Sequence, residues 1–423
     1  MSRGVRLPAT FSVLGERDFR VVWIGQAVSM VGTWMQAVAQ GLLVLELWRS
    51  PLALGVINVV SGIPTVLVML FGGVLADRID KRRILIVTQL AMAAIAATIG
   101  VLVVTGQARY WMLAVAALAL GVAIGYDLPA YGAYLPELVP PQKIGQAVAL
   151  NSATFHGTRM IGPALAGATI PAFGMGPAYF LNAASFLPVV FSLLSVRARY
   201  VQAPDASRPS ALDGMREGLR HTAARSNLRA LLALQTLATT FILPTLAILS
   251  PYYVTEVLHE SAGTLGLAWT ISGVGAVLGA LTVVRWPSHA RPARIWLAAL
   301  LGPVAMVIMA ATRSAGPALA AFGLLSFAAS SNGALIQTMI QESTPLAFRG
   351  RVTSLYTLTW NTATPLAGIA SSVAADRFGL PSVIAGSAVF GLVCGSILLA
   401  RAGGGIRRVV AACAAEYATA LEA

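Results

Sequence analysis

Lysine is almost missing from this 423-residue chain: Lys81 and Lys143 are the whole complement. Neither follows a glycine, so no phosphate-cradling loop exists and the chain cannot by itself be driven by ATP. Cysteine is as scarce. Cys394 sits in an apolar run and Cys413 in the C-terminal stretch, which leaves no disulfide framework and no metal-ligand spacing. With four histidines and neither an HExxH nor a GxSxG run, the residues of a metalloenzyme or a serine hydrolase are lacking. No metal, cofactor or enzymatic activity is expected.

Charge is thin as well. Charged residues make up 11% of the chain against 57% hydrophobic ones, where a globular domain has about a quarter charged. Such a composition belongs to a polytopic membrane protein. A net charge of +13 would suggest nucleic acid for a soluble protein, but here the cations are spread as topology signals. No nucleic-acid partner is expected.

A spanning helix needs about 20 apolar residues, and the sequence offers runs at 21–47, 52–76, 84–105, 111–134, 146–171, 177–196, 229–254, 263–284, 294–312, 317–341, 351–374 and 381–400. Arginine and lysine crowd alternate connections, leaving Arg49, Arg109, Arg313 and Arg377 on the other side. That bias places both termini in the cytoplasm. Met1–Arg20 is basic but lacks an early apolar core and a small-residue cleavage site, so no removable signal peptide is expected. The expected parts are 1–196, a cytoplasmic linker over 197–228, 229–400 and a tail over 401–423. Within the linker, Leu212, Met215 and Leu219 alternate with Arg216, Glu217 and Arg220 as in a short amphipathic helix.

The most unusual stretch is Gly72-Gly73-Val-Leu-Ala-Asp77-Arg78-Ile-Asp80-Lys81-Arg82-Arg83. Asp77 falls at a helix end whose carbonyls already carry negative charge, so it needs an outside partner. Gly72 and Gly73 let another backbone come close. The pattern resembles the loop between helices 2 and 3 of the major facilitator superfamily, departing from it at Asp80, where glycine is usual. The resemblance implies an all-α membrane protein of twelve transmembrane helices in two pseudo-symmetric six-helix bundles. The other reading of the loop is a positive anchor with incidental acids.

The two halves match weakly. At an offset of 211, Ser50, Leu54, Gly55, Ser61 and Gly62 align with Ser261, Leu265, Gly266, Ser272 and Gly273; at 205, Glu137, Pro140, Gly145, Phe173 and Gly174 align with Glu342, Pro345, Gly350, Phe378 and Gly379. Parallel repeats joined by a linker describe a transporter that rocks two bundles about a central site. The second copy has lost the acid, with Ser288 and His289 in place of Asp77 and Arg78. Gating is therefore expected from Gly73, Asp77, Arg78 and Arg82 working against Gly350 and Arg351.

Val22-Trp-Ile-Gly-Gln-Ala-Val-Ser29, Gly73–Arg78, Arg216-Glu-Gly218 and Gly350-Arg-Val-Thr-Ser-Leu355 are similar to the bacterial exporter branch that contains macrolide efflux proteins and the enterobactin exporter. The resemblance covers essentially the whole chain. It implies a monomer in the bacterial inner membrane that exports a medium-sized amphiphilic small molecule, drug or siderophore, in exchange for protons. Transport of a lysophospholipid or similar lipid by the same fold is the alternative.

Charge inside a span costs about 2.5–3.5 kcal/mol and so points to function. Asp127 lies in the fourth run, His156 and Arg159 in the fifth, and Glu46 near the outer end of the first. Folding the fourth and fifth runs about Pro140 sets Asp127 opposite roughly position 153. An acid, an imidazole and a guanidinium at one level make a proton or substrate site; the other reading is a packing ion pair between Asp127 and Arg159. Gly157, Gly162, Pro163 and Gly167 loosely resemble the antiporter signature of drug exporters, and suit equally a close, bent helix crossing. The embedded arginine of drug-exporting relatives is replaced in the fourth run by Leu120-Gly121. Gln26, Trp34, Asn58, Tyr126, Asn151, Gln235, Trp269, Asn332, Tyr356 and Trp360 are the expected cavity lining; a mostly apolar cavity suits an amphiphile.

Overall fold

A computed structural model describes residues 9–76, 80–196, 200, 211–284 and 291–398. Asp77, Arg78 and Cys413 lie outside these, and the surroundings of Gly73 are not described. Six helices come first: α1 (Arg17–Leu47), α2 (Pro51–Ala76), α3 (Lys81–Val104), α4 (Tyr110–Tyr134), α5 (Ile144–Phe173) and α6 (Gly176–Ser195). Then follow α7 (Ala211–Ala223), α8 (Ser226–Phe241), α9 (Ala262–Val284), α10 (Arg291–Ala311), α11 (Ala315–Ser343) and α12 (Leu346–Phe378), with α13 over Leu380–Leu398. The described residues contain no strand.

Nine helices among the described residues are long and apolar enough to cross a membrane. The helices α5 and α12 fall short in hydropathy because they carry Asn151, His156 and Arg159, and Arg351, Asn361 and Asp376. Large apolar side chains stand exposed, such as Val87 at 65%, Trp111 at 62% and Phe191 at 65%. Water would penalise such a surface, whereas lipid is its natural solvent.

By their internal contacts the residues form two compact units, Met1–Leu47 with Val60–Arg208 and Trp48–Val59 with Pro209–Ala423. In the first unit, α1 packs on α5 and α6, and α3 on α4 and α6. Its core gathers Phe19, Val22, Leu85, Tyr134, Leu138, Leu150 and Leu193. The crossings are close: a Cβ on Gly121 would stand 2.2 Å from the Ser61 carbonyl oxygen. Both lysines are spent on the rim, Lys81 on Glu137 at 2.5 Å and Lys143 on Glu16 at 2.7 Å. Asp80 caps α3 by accepting from the Arg82 N–H at 3.0 Å, and the Arg82 guanidinium donates to the Leu194 carbonyl at 2.7 Å. Arg82 thereby satisfies a carbonyl in the last turn of α6.

In the second unit, α9 and α10 pack on α11, and α12 on α7 and α8. The first turns of α2 belong here. Ser50 caps them through the Leu52 N–H at 3.0 Å, and its hydroxyl donates to Asp376 at 2.5 Å. A Cβ on Gly55 would stand 2.5 Å from the Ser372 side chain.

The seventh run is not one continuous helix. Past Phe241 the chain takes wide turns over Pro244–Ile248 and Tyr253–Val257. Leu249 N–H donates to the Pro244 carbonyl at 2.8 Å and Leu258 N–H to the Tyr253 carbonyl at 3.0 Å, each five residues back. The cause is Pro244 and Pro251, which lack the N–H that a four-residue ladder requires.

The linker forms the amphipathic helix α7, and α7 docks on the start of α12. Glu217 and Arg351 pair at 2.9 Å, Gly218 abuts Arg351, and the His221 ring stacks on Phe348 with centroids 4.1 Å apart. Desolvation and the Arg225 charge lower the His221 pKa, against the pull of Glu217. Because the ion pair is largely exposed, Glu217→Ala should cost at most ~1 kcal/mol. We expect up to about fivefold faster tryptic cleavage within α7, the opening equivalent of that energy, with the melting temperature nearly unchanged; peptide mapping reads it.

Candidate transport site

The charged residues of the spans separate into two places in the first unit. Asp127 is buried at 8% exposure between α3 and α4. Its Oδ1 accepts the Thr88 hydroxyl at 2.6 Å and the Gln89 amide N–H at 3.1 Å. All its hydrogen-bonding partners among the described residues are neutral. The two donors stand together because the α3–α4 hairpin is tight: reflecting Asp127 about Gln107 lands on roughly position 87, beside Thr88. One turn along α4, the Tyr131 hydroxyl donates to Asn151 at 3.0 Å, tying α4 to α5.

Arg159 has other partners. No ion pair joins it to Asp127 among the described residues, so the packing ion pair between the two is not formed; the described contacts of Asp127 run to α3 and those of Arg159 to α1. The α4–α5 connection contains two short helical turns over Leu135–Leu138 and Pro141–Lys143 and keeps a register close to a reflection about Pro140, as the Tyr131–Asn151 contact shows, but the Asp127 carboxylate is taken up by α3. The Arg159 guanidinium carbon lies 5.6 Å from the centre of the Trp34 ring on α1. Trp34 in turn meets Phe155 edge-on, with centroids 5.8 Å apart, and Phe155 meets His156 at 5.5 Å. Gly162 sets this crossing, since a Cβ there would stand 2.5 Å from the Trp34 Cβ. Pro163 is buried with it, Gly157 faces open space and Gly167 is partly exposed. Pro163 also offers no N–H to the Arg159 carbonyl one turn earlier.

The other expected site residues divide between the units. Glu46 is exposed at the end of α1. In the first unit Gln26 is partly buried, its amide oxygen without a partner among the described residues, Tyr126 is partly buried, and Asn151 holds Tyr131. In the second, Asn58 also has an unpartnered oxygen, Gln235 donates to Thr239 at 3.3 Å, Trp269 to Ser250 at 2.9 Å, and Tyr356 to the Gly333 carbonyl at 3.4 Å. Trp360 is 40% exposed. Asn332 lines an apolar cavity of about 50 Å³ with Leu234, Phe241, Met306 and Gly391. Gly350 faces open space, and Arg351 is engaged by Glu217 and Phe348. Thr88 and Gln89 are the residues that residue-by-residue reading passed over. They are uncharged, and only the hairpin reflection that places them opposite Asp127 marks them.

A family model described as a transmembrane secretion effector matches residues 8–404. The chain belongs to that family, within the major facilitator superfamily. The multidrug efflux pump Tap of Mycolicibacterium fortuitum is 25% identical over 82% of this chain and 87% of its own length. The enterobactin exporter EntS of Citrobacter koseri is 26% identical over 92% of each. An uncharacterized MFS-type transporter of Bacillus subtilis, YfiS, is 27% identical over 48% of this chain and 49% of that one. Among solved structures, the nucleoside transporter NupG superposes with a TM-score of 0.70 at 12% identity, covering 91% of this chain and 99% of that one. A bacterial homolog of the human lysosomal transporter Spinster, inward-facing and unoccupied, gives 0.66 at 13% identity over 96% and 98%. These share the fold. The family makes this chain a multi-pass membrane transporter of a small molecule, and not an enzyme.

Proposed function

We propose that this transporter exports an amphiphilic small molecule across the bacterial inner membrane, by alternating access and in exchange for protons, with both termini in the cytoplasm. The observation that carries the coupling is Asp127: a carboxylate in a span, buried, held among the described residues by neutral donors alone. An acid without counter-charge at that depth is costly to keep unless it takes up and releases a proton. Amphiphile export is supported by the efflux pump and siderophore exporter among the relatives, and by the apolar character of the spans.

The test is proteoliposome transport under an imposed pH gradient, with macrolides, catecholate siderophores, dyes and lysolipids as substrates. Accumulation of an amphiphile that follows the gradient and collapses with an uncoupler is expected. Counterflow indifferent to the gradient would reject antiport, and a response to lysolipids alone would replace the substrate class.

A further inference from the structure

Arg159 has no described acid within ion-pair reach. Among the described acids of its unit, Glu137 and Glu16 are held by the lysines, Asp18 by Arg17 at 3.0 Å and Asp127 by Thr88 and Gln89, Asp80 caps α3, and Glu46 is exposed at the end of α1. His156, one turn away on α5, supplies no counter-charge. A guanidinium in a span is expensive, and a ring face returns only ~0.5–2 kcal/mol of that. The guanidinium lies over the Trp34 ring, while its N–H donors meet no acceptor among the described residues. Those donors form a fork that matches a carboxylate or sulfonate oxygen for oxygen.

The surroundings suit a flat apolar group beside such an anion. Trp34 and Phe155 form an edge-to-face aromatic wall, and two residues before Arg159 the Gly157 position faces open space. The contact of Gly162 with Trp34 fixes the register of α1 on α5, so the ring and the guanidinium are held together before any ligand arrives.

We propose that the exported molecule carries an anionic group next to an aromatic ring, and that Arg159 and Trp34 are the pair that recognises it. The inference rests on the export reading above and narrows its substrate class.

Binding to the full-length protein in lipid nanodiscs tests this without requiring transport. The probes are naphthaleneacetate and its neutral counterpart naphthaleneacetamide, titrated calorimetrically with empty nanodiscs as blank. Wild type should bind the acid about tenfold or more tightly than the amide, the scale of a charge-assisted bidentate contact. Arg159→Gln should erase that preference while leaving the amide affinity within about twofold, and Trp34→Leu should weaken both probes. Should Arg159→Gln not fold, Arg159→Lys serves, with a preference reduced but still present. Equal affinities in wild type, or a preference that survives Arg159→Gln, overturns the proposal. Displacement of naphthaleneacetate by lysophosphatidylglycerol should be no stronger than by lysophosphatidylcholine; the reverse would make the anion a lipid headgroup and overturn the aromatic half. Failure of the export reading looks different: proteoliposomes would then move naphthaleneacetate no faster than protein-free liposomes do.

Discussion

Asp127→Asn is expected to abolish pH-driven transport while leaving a folded protein that still exchanges substrate. Asparagine keeps an oxygen where Thr88 and Gln89 now donate, so the α3–α4 contact survives. What it cannot do is change charge. Gradient-driven accumulation should fall at least about tenfold, in the range of losses seen when a positioned proton-transfer group is removed, with substrate counterflow in the absence of a gradient largely intact. Both are read in proteoliposomes with the same labelled substrate. If accumulation persists at the wild-type rate, Asp127 is a packing residue and the proton travels elsewhere. Thr88→Val should produce a milder version, because it removes the shorter of the two hydrogen bonds without removing the carboxylate.

The other large effect is on the fold. Gly121→Leu and Gly275→Leu each place a branched side chain where even a Cβ would lie 2.2 Å from a backbone oxygen, that of Ser61 in one unit and of Gly323 in the other. Backbone cannot step aside as a side chain can, so the helices must separate along their length. The cost is about 3 kcal/mol or more, enough to eliminate monodisperse protein on size-exclusion chromatography. Gly316→Leu, where a Cβ meets nothing within 4 Å, is the control and should purify like wild type. If all three variants behave alike, the crossings are looser than they stand here.

Much of the helical framework was readable from hydropathy, because a bilayer imposes one length on every crossing. The runs at 84–105 and 177–196 differ from α3 and α6 by only a few residues at their ends. The weak internal matches also carried information about local structure. Ser50 and Ser261 both cap the helix they precede, through Leu52 and Thr264 N–H. Phe173-Gly174 and Phe378-Gly379 end α5 and α12 alike, with Gly174 and Gly379 at φ of +76° and +79°, a region where a side chain is strained. Side-chain partnerships were harder. The match of opposite charges suggested Arg159 for Asp127, whereas a threonine and a glutamine on α3 hold that acid. The reflection about Pro140 placed α4 and α5 nearly level, as Tyr131 and Asn151 show, but local sequence does not say toward which neighbouring helix a side chain on α4 turns. Asp77 and Arg78 lie outside the described residues, so their gating role stays a proposal, testable by Asp77→Asn.

The wide turns around Pro244 and Pro251 carry a mechanical corollary. In an ordinary helix every amide is committed to one carbonyl, and bending means breaking bonds outright. Where amides reach back one residue farther, a sideways slip to the nearer acceptor exchanges one bond for another at little net cost. This stretch is therefore a loose screw thread set between two rigid rods, able to advance by a single residue and twist Tyr252 and Glu256 around the axis without the chain ever unravelling.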